Sequence, residues 1–321
     1  MYFPYLRGKQ FELLALRELA DEINEGFHFI PIIEPVKMTL TGLTTAVKKM
    51  IEKEMKFALV LNPYEEDFAF TESDLMEEIP ELKQFRDAWI PAFVYKEEAD
   101  VRRIKELIQK NSLNQTMVVF HQPIPIDNEK CMNLLHQSEI KYLVVSDGDS
   151  RTTMRKLFDC FEGKKFIRLD NNFKELTRNS DYGMNTDESF TEQHLFYEKD
   201  GYFGFGDYTA LRKNYTVGGM LPYAIAIHLT YQKEDGVVYI HHFVSDTNDD
   251  RSNIQGKFFE AALKVKAFYE HPYEKTQAVN TLIGFIEQDR YPGLGYLKML
   301  SIKNSIQLMN RILKSDHESL C

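Results

Sequence analysis

The sequence predicts an α/β protein built as a TIM-like (β/α)8 barrel, with an inserted β-hairpin and appended C-terminal helices. Three observations carry that reading. Eight short apolar runs recur at roughly 25–30-residue spacing within the first ~210 residues, as barrel strands do. Helical patterns fill most of the gaps, and strands alternating with helices mean βαβ units and a parallel sheet. Each run also stops at a polar residue at its C-terminal end. An open doubly wound sheet is the alternative, but it gathers ligand groups at one switch point and not at every strand end.

Taken in order, YFPYLRG at 2–8 stops at Arg7, FIPIIE at 29–34 at Glu34, and FALVLNP at 57–63 at Asn62. WIPAFVYK at 89–96 stops at Tyr95 and MVVFHQP at 117–123 at His121. YLVVSDGD at 142–149 stops at Asp147, KFIRLDNN at 165–172 at Asp170, and YFGFGDYT at 202–209 at Asp207. These runs show little strict alternation, which suits strands buried on both faces.

Between them, residues 10–24 place Phe11, Leu13, Leu14, Leu16, Leu19 and Ile23 on one stripe of a 3.6-residue period. Residues 43–55, 97–111, 128–137 and 150–161 read as helices too, the last with Ser150 as N-cap. Residues 171–200 read mostly as loop. Beyond the eighth strand, residues 222–246 form two strands around Asp235-Gly236, a hairpin turn signal. Residues 253–270 are expected as the last barrel helix, and residues 274–314 carry two further helices. With no Pro/Ser-rich linker, residues 1–321 are expected to form one domain.

The chain has 321 residues, 43% hydrophobic and 27% charged, which is an ordinary soluble globular composition and enough to bury a core without staples. A net charge of −10 argues against a general nucleic-acid coat protein but leaves room for a local basic groove. Cys131, Cys160 and Cys321 are far apart, so neither a disulfide framework nor a structural zinc site is expected. There is no secretory leader pattern and no run of ~18 apolar residues, so a cytoplasmic protein without a membrane span is expected. On that reading the sequons at Asn114 and Asn214 carry no meaning.

In a closed barrel the strand C-termini open on one face, where catalytic groups sit. That geometry would gather Arg7, Glu34, Asn62, Tyr95, His121, Asp147, Asp170 and Asp207 around one rim, with Lys9 and Lys37 beside it. Pro35 fits, because proline cannot continue the ladder. The bland alternative is that soluble strands simply end where polar residues begin.

Glu34, His121, Asp147, Asp170 and Asp207 are the candidate catalytic groups. Crowded carboxylates push one another's pKa values apart, and His121 could shuttle protons. Asp147, Asp170 and Asp207 are the candidate ligands for a divalent cation such as Mg²⁺ or Mn²⁺. Arg7, Lys9, Lys37, Asn62 and Tyr95 are the candidate substrate contacts, with Arg7 the best fork for a phosphate. Cations beside carboxylates suit a phosphodiester or phosphomonoester, so the expected activity is phosphoester hydrolysis, with or without metal. The scheme requires Glu34 and Asp207 to face one cavity. The competing reading is a non-catalytic sensor that binds a small molecule or nucleotide and signals to a partner protein through the C-terminal helices.

Other signals carry less. Residues 201–208 lack the GxGxxG register, and their glycines suit strand bending or close approach. Residues 246–257 begin like a calcium loop but have Arg251 and Lys257 where an EF-hand requires Gly and Glu. His241 and His242 must face opposite sides of a strand. No GxSxG or HExxH occurs, and no HxH ends the first strand. Lys298, Lys303, Arg311 and Lys314 read as a solvated helix face.

The opening YFPYLRGKQFELLALRELA and the following FIPIIEPVK resemble the bacterial "beta family protein" group. The matching residues are Tyr5, Arg7, Gly8, Lys9, Glu12, Glu34, Pro35 and Lys37, and Asp207-Tyr208 matches a later Asp-Tyr signature. The resemblance spans the chain. It implies a role in a phage-defence or mobile-element module beside a nuclease-like neighbour, and it supplies no substrate.

Overall fold

A computed structural model describes residues 1–24, 26–69, 74–213, 221–270 and 273–319, with side chains up to residue 315. Cys321 and the sequon residue Asn214 lie outside the described residues. Cys131 and Cys160 are both free thiols.

The chain folds as two compact units, one of residues 1–171 and 196–207, the other of residues 172–195 and 208–321. The first unit is the expected barrel. Its strands are β1 (Tyr5–Leu6), β2 (Ile32–Ile33), β3 (Phe57–Val60), β4 (Trp89–Tyr95), β5 (Thr116–Phe120), β6 (Ile140–Ser146) and β7 (Lys165–Asp170). The eighth is β9 (Gly204–Asp207), because β8 (Asp187–Thr191) belongs to the other unit. They pair in parallel in the order β1-β2-β3-β4-β5-β6-β7-β9.

The ring closes through a parallel bridge between Tyr2 and Phe205, with the Phe3 amide donating to the Phe205 carbonyl at 2.8 Å. Closure depends on Gly204 and Gly206. A Cβ on Gly206 would lie 2.1 Å from the Phe3 carbonyl oxygen, and one on Gly204 2.4 Å from the Phe3 ring. The glycines of this strand thus serve close backbone approach, one of the two roles their sequence suggested.

The helices follow the apolar stripes. α1 (Gln10–Glu22) follows β1, α2 (Thr41–Glu52) follows β2, and the short α3 (Leu75–Glu78) and α4 (Glu81–Gln84) follow β3. α5 (Ala99–Asn111), α6 (Glu129–Leu135) and α7 (Arg151–Cys160) follow β4, β5 and β6. Ser150 caps α7 by accepting from the Thr153 amide, as expected. Glu12 in the first turn of α1 is buried and accepts from the Arg7 amide at 2.6 Å, which ties the β1–α1 turn to the strand end.

In the second unit, β10 (Ala226–Gln232) and β11 (Val238–Val244) form the expected hairpin, with Gly236 at φ 82° in its turn. β8 adds to β11 as a third, antiparallel strand. It arises in the stretch expected to be loop, because DESFT offers almost no apolar alternation to read. The short α8 (Gln193–Phe196) ends that excursion.

α9 (Ile254–Phe268), expected as the eighth barrel helix, packs instead against β10, β11 and α10 (Gln277–Glu287). α11 (Leu294–Ser319) packs on β10 and α10. The Asn304 amide donates to the Thr230 carbonyl at 2.8 Å, and Thr276 donates to Asn304 at 2.8 Å. Lys303 is therefore not on a solvated face: it is 1% exposed, between buried Ile302 and Asn304. Among the described residues, no helix is long and apolar enough to cross a membrane.

Candidate active site at the barrel mouth

Successive strand residues point to opposite faces, and residues paired across a parallel ladder point to the same face. The register therefore sorts the strand ends. Tyr5 pairs with Ile32 and Ile32 with Ala58, Val60 with Ala92, Ala92 with Met117, and Ile167 with Gly204. Tyr5 lies on β1 and His121 just past β5, half a turn away around an eight-stranded ring. Yet the Tyr5 hydroxyl and His121 Nε2 are 3.1 Å apart. Only the lumen permits that contact, so this set faces inward. Continuing by twos, Arg7, Glu34, Asn62, Lys96 and His121 belong to the inner set.

The inner residues form a polar layer across the lumen. Glu34 is fully buried and accepts from the Tyr5 hydroxyl through Oε2 at 2.7 Å. Arg7 pairs with the same oxygen, and its guanidinium lies 5.3 Å from the centre of the Tyr5 ring. His121 meets the Tyr5 ring edge-on at 5.0 Å. The second carboxylate oxygen, Oε1, is buried and has no hydrogen-bond partner among the described residues. Burial pushes the Glu34 pKa above the usual carboxylate range, although Arg7, the Tyr5 hydrogen bond and Lys96 pull it down; Glu65 adds to the rise. Tyr64 stands close enough to Glu34 and Arg7 to feel both charges, and burial with Glu34 raises its phenol pKa. The Lys96 ammonium sits over the Tyr64 ring at 2.8 Å.

Asn62 is also at this level but is committed to the wall. Its amide nitrogen donates to the Val94 carbonyl at 2.8 Å, and its oxygen accepts from the Val94 amide at 2.9 Å. It replaces a missing ladder pair between β3 and β4.

The remaining candidates are not brought to the mouth. Asp170 pairs with Asp207 across β7 and β9, and Arg168 with Phe205, in the outward register. Asp207 is buried and accepts from the Tyr2 hydroxyl at 2.7 Å on that outer face. Asp170 accepts from Arg168 Nε at 2.8 Å; burial raises its pKa, Arg168 opposes the rise and Asp147 adds to it. Asp147 lies in the exposed turn after β6. Tyr95 points outward to Cys131 on α6, and burial pushes its phenol up to about 12.

The requirement that Glu34 and Asp207 face one cavity thus fails, and with it the scheme in which Asp147, Asp170 and Asp207 act together with Glu34. Asp147, Asp170 and Asp207 do not assemble as a metal set: among the described residues, no group of three or more His, Cys, Asp or Glu side chains is placed to hold an ion. The reason is the two-residue period. A polar residue at a strand end reaches the lumen only with the right parity, and half of these have the wrong one.

Two cations are also displaced from the expected role. Lys37 is exposed and pairs with Glu66 and with Asp67, the latter at 3.3 Å. Lys9 takes the N-cap position of α1.

Tyr5, Tyr64 and Lys96 belong to the site although none of them is a polar strand-end residue that the sequence pattern selects. Tyr5 and Lys96 were legible by counting: Tyr5 stands two before Arg7, and Lys96 two after inward Val94, next to the outward Tyr95. Tyr64 lies in the loop after β3, where no period applies.

No family model and no curated protein matches the chain. Among solved structures, FabK from Thermotoga maritima is similar at a TM-score of 0.38 and 12% identity, with 99% of this chain and 94% of that chain covered.

Proposed function

We propose that the barrel is an enzyme that hydrolyses a small phosphate ester at its inner mouth. In this reading Arg7 and Lys96 hold the phosphoryl oxygens and stabilise the charge that builds on them. His121 activates the water, and Glu34 receives the proton. The observation that carries the reading is Glu34. A carboxyl group fully buried at the strand ends, with one oxygen unpartnered among the described residues and its pKa raised, costs folding energy that a purely structural residue would not need to spend. The resemblance to the beta family group supports placing the activity in a phage-defence or mobile-element module with a nuclease-like partner.

The test is turnover of p-nitrophenyl phosphate, bis(p-nitrophenyl) phosphate and a panel of nucleotides by the full chain. His121→Asn and Glu34→Gln should each lower kcat by about 10²-fold or more, the usual size of an acid–base contribution. Asp147→Asn and Asp170→Asn should leave it unchanged. A ligand that raises the melting temperature through Arg7 with no turnover of any ester would replace this reading with the sensor that acts through a partner.

A further inference from the structure

We propose that Tyr5 is a proton relay between His121 and Glu34, and that the proton it delivers releases the charge of Arg7 toward the substrate. The inference rests on the reading of the inner mouth as an active site, and it assigns the atoms. The Tyr5 hydroxyl has one proton, and at 2.7 Å it is donated to Glu34 Oε2. The Tyr5 oxygen must then accept from His121 Nε2 at 3.1 Å, so that nitrogen carries the imidazole proton. Neutral imidazole has one N–H, which makes Nδ1 the basic nitrogen of the ring.

The transfer balances. His121 Nδ1 takes a proton from water, Nε2–H passes its proton to the Tyr5 oxygen, and the Tyr5 O–H proton moves to Glu34 Oε2. Imidazole ends neutral in the other tautomer, the phenol is restored, the carboxylate becomes a carboxylic acid and water becomes hydroxide. The hydroxide oxygen forms the new bond to phosphorus. The reverse path returns the Glu34 proton to the leaving oxygen as its bond to phosphorus breaks.

Arg7 gives this relay a second consequence. It pairs with Oε2, the oxygen that receives the proton. Once Glu34 is neutral, the guanidinium no longer faces the charge of Glu34 at the moment when negative charge builds on the phosphoryl group. The burial that raises the Glu34 pKa makes the carboxylate a ready acceptor in this step. Arg7, Lys96, Glu65, Tyr64 and His121 are the charged or titratable groups disposed around it.

The experiment is nitrogen NMR of the full chain with ¹⁵N-histidine, the His121 signals assigned through His121→Asn, combined with kinetics on whichever ester is hydrolysed. The wild type should show neutral His121 with its proton on Nε2, and the His121 signals should move as Glu34 titrates. In Tyr5→Phe the two titrations should uncouple, kcat should fall by about 10²-fold with KM within about threefold, and the pH–rate profile should change shape. Glu34→Gln should abolish the same NMR step with Tyr5 intact. A proton on Nδ1, or His121 signals indifferent to Glu34→Gln, overturns the relay whatever the activity. Full kcat in Tyr5→Phe overturns it while the active-site reading stands. Coupled titrations with no turnover of any phosphate ester overturn the proposed substrate and leave the relay, which NMR measures directly.

Discussion

Glu34 and Asp207 end the two strands that flank β1, and they face opposite sides of the barrel wall. Glu34 takes the hydroxyl of Tyr5 inside, and Asp207 takes the hydroxyl of Tyr2 outside. Two tyrosines three positions apart in the first barrel segment, of opposite parity, thus serve two carboxylates in two different environments.

The outer pair should be purely structural. Tyr2→Phe removes a buried donor from Asp207 and should cost about 1–3 kcal/mol of stability. Denaturant melts would show that loss. Ester turnover at the inner mouth, which this reading assigns to His121 and Glu34, should be unaltered.

The inner ion pair should reveal itself through pH. Arg7→Met leaves Glu34 buried without its main counter-charge, which at neutral pH should cost about 3–5 kcal/mol. The folded-state pKa of Glu34 is raised, so its protonated form favours the fold at acid pH, and that benefit is lost as pH rises through the folded pKa. Removing Arg7 raises that pKa further. The gap between variant and wild type should therefore be small near pH 4 and widen toward pH 8, as equilibrium unfolding at several pH values would measure.

Barrel closure should fail with one methyl group. Gly206→Ala places a Cβ 2.1 Å from the backbone oxygen of Phe3, and backbone on both sides leaves no flexible end to move. We expect loss of the cooperative unfolding transition or a cost of about 3 kcal/mol or more, with Gly163→Ala as an open-space comparison in the same assay. Gly163 has φ 82°, so that comparison carries a backbone cost of its own, about 1–2 kcal/mol.

The second unit should be acid-labile. His242 is buried beside Phe173 and Tyr182, with its Nδ1 2.7 Å from Nδ1 of His228. Burial depresses its pKa to about 4 and that of His228 to about 3, with the charges of His242 and Arg212 lowering His228 further. Glu188 opposes the shift of His242, while Lys174 and His241 add to it. A depressed histidine pKa means that the unfolded chain binds more protons below about pH 6.5. The stabilisation is present above that pH and fades as pH falls through about 4, by on the order of 3 kcal/mol for His242. His242→Gln should flatten the pH dependence of the melting temperature between those limits.

The eight strands were legible because each is a short, mostly apolar or aromatic run ending at a polar residue, and the hairpin was legible through Asp235-Gly236. The opposite facing of His241 and His242 also followed from alternation: His241 meets Phe268, and His242 meets Phe173 and Tyr182. β8 was not legible, since its ladder to β11 is supplied by a partner strand about 50 residues away and not by its own composition.

What the sequence by itself determined is the number of barrel strands, their direction, and the presence of Arg7, Glu34 and His121 at their C-terminal ends, because burial and helix period are local properties of composition. What only the tertiary structure decided is which strand ends turn inward. That depends on the register of each ladder and on closure between β1 and β9, where one residue of shift exchanges the two faces. The contact between Tyr5 and His121 spans 116 residues and half the circumference of the ring. Only a closed barrel brings those two side chains within reach of one proton.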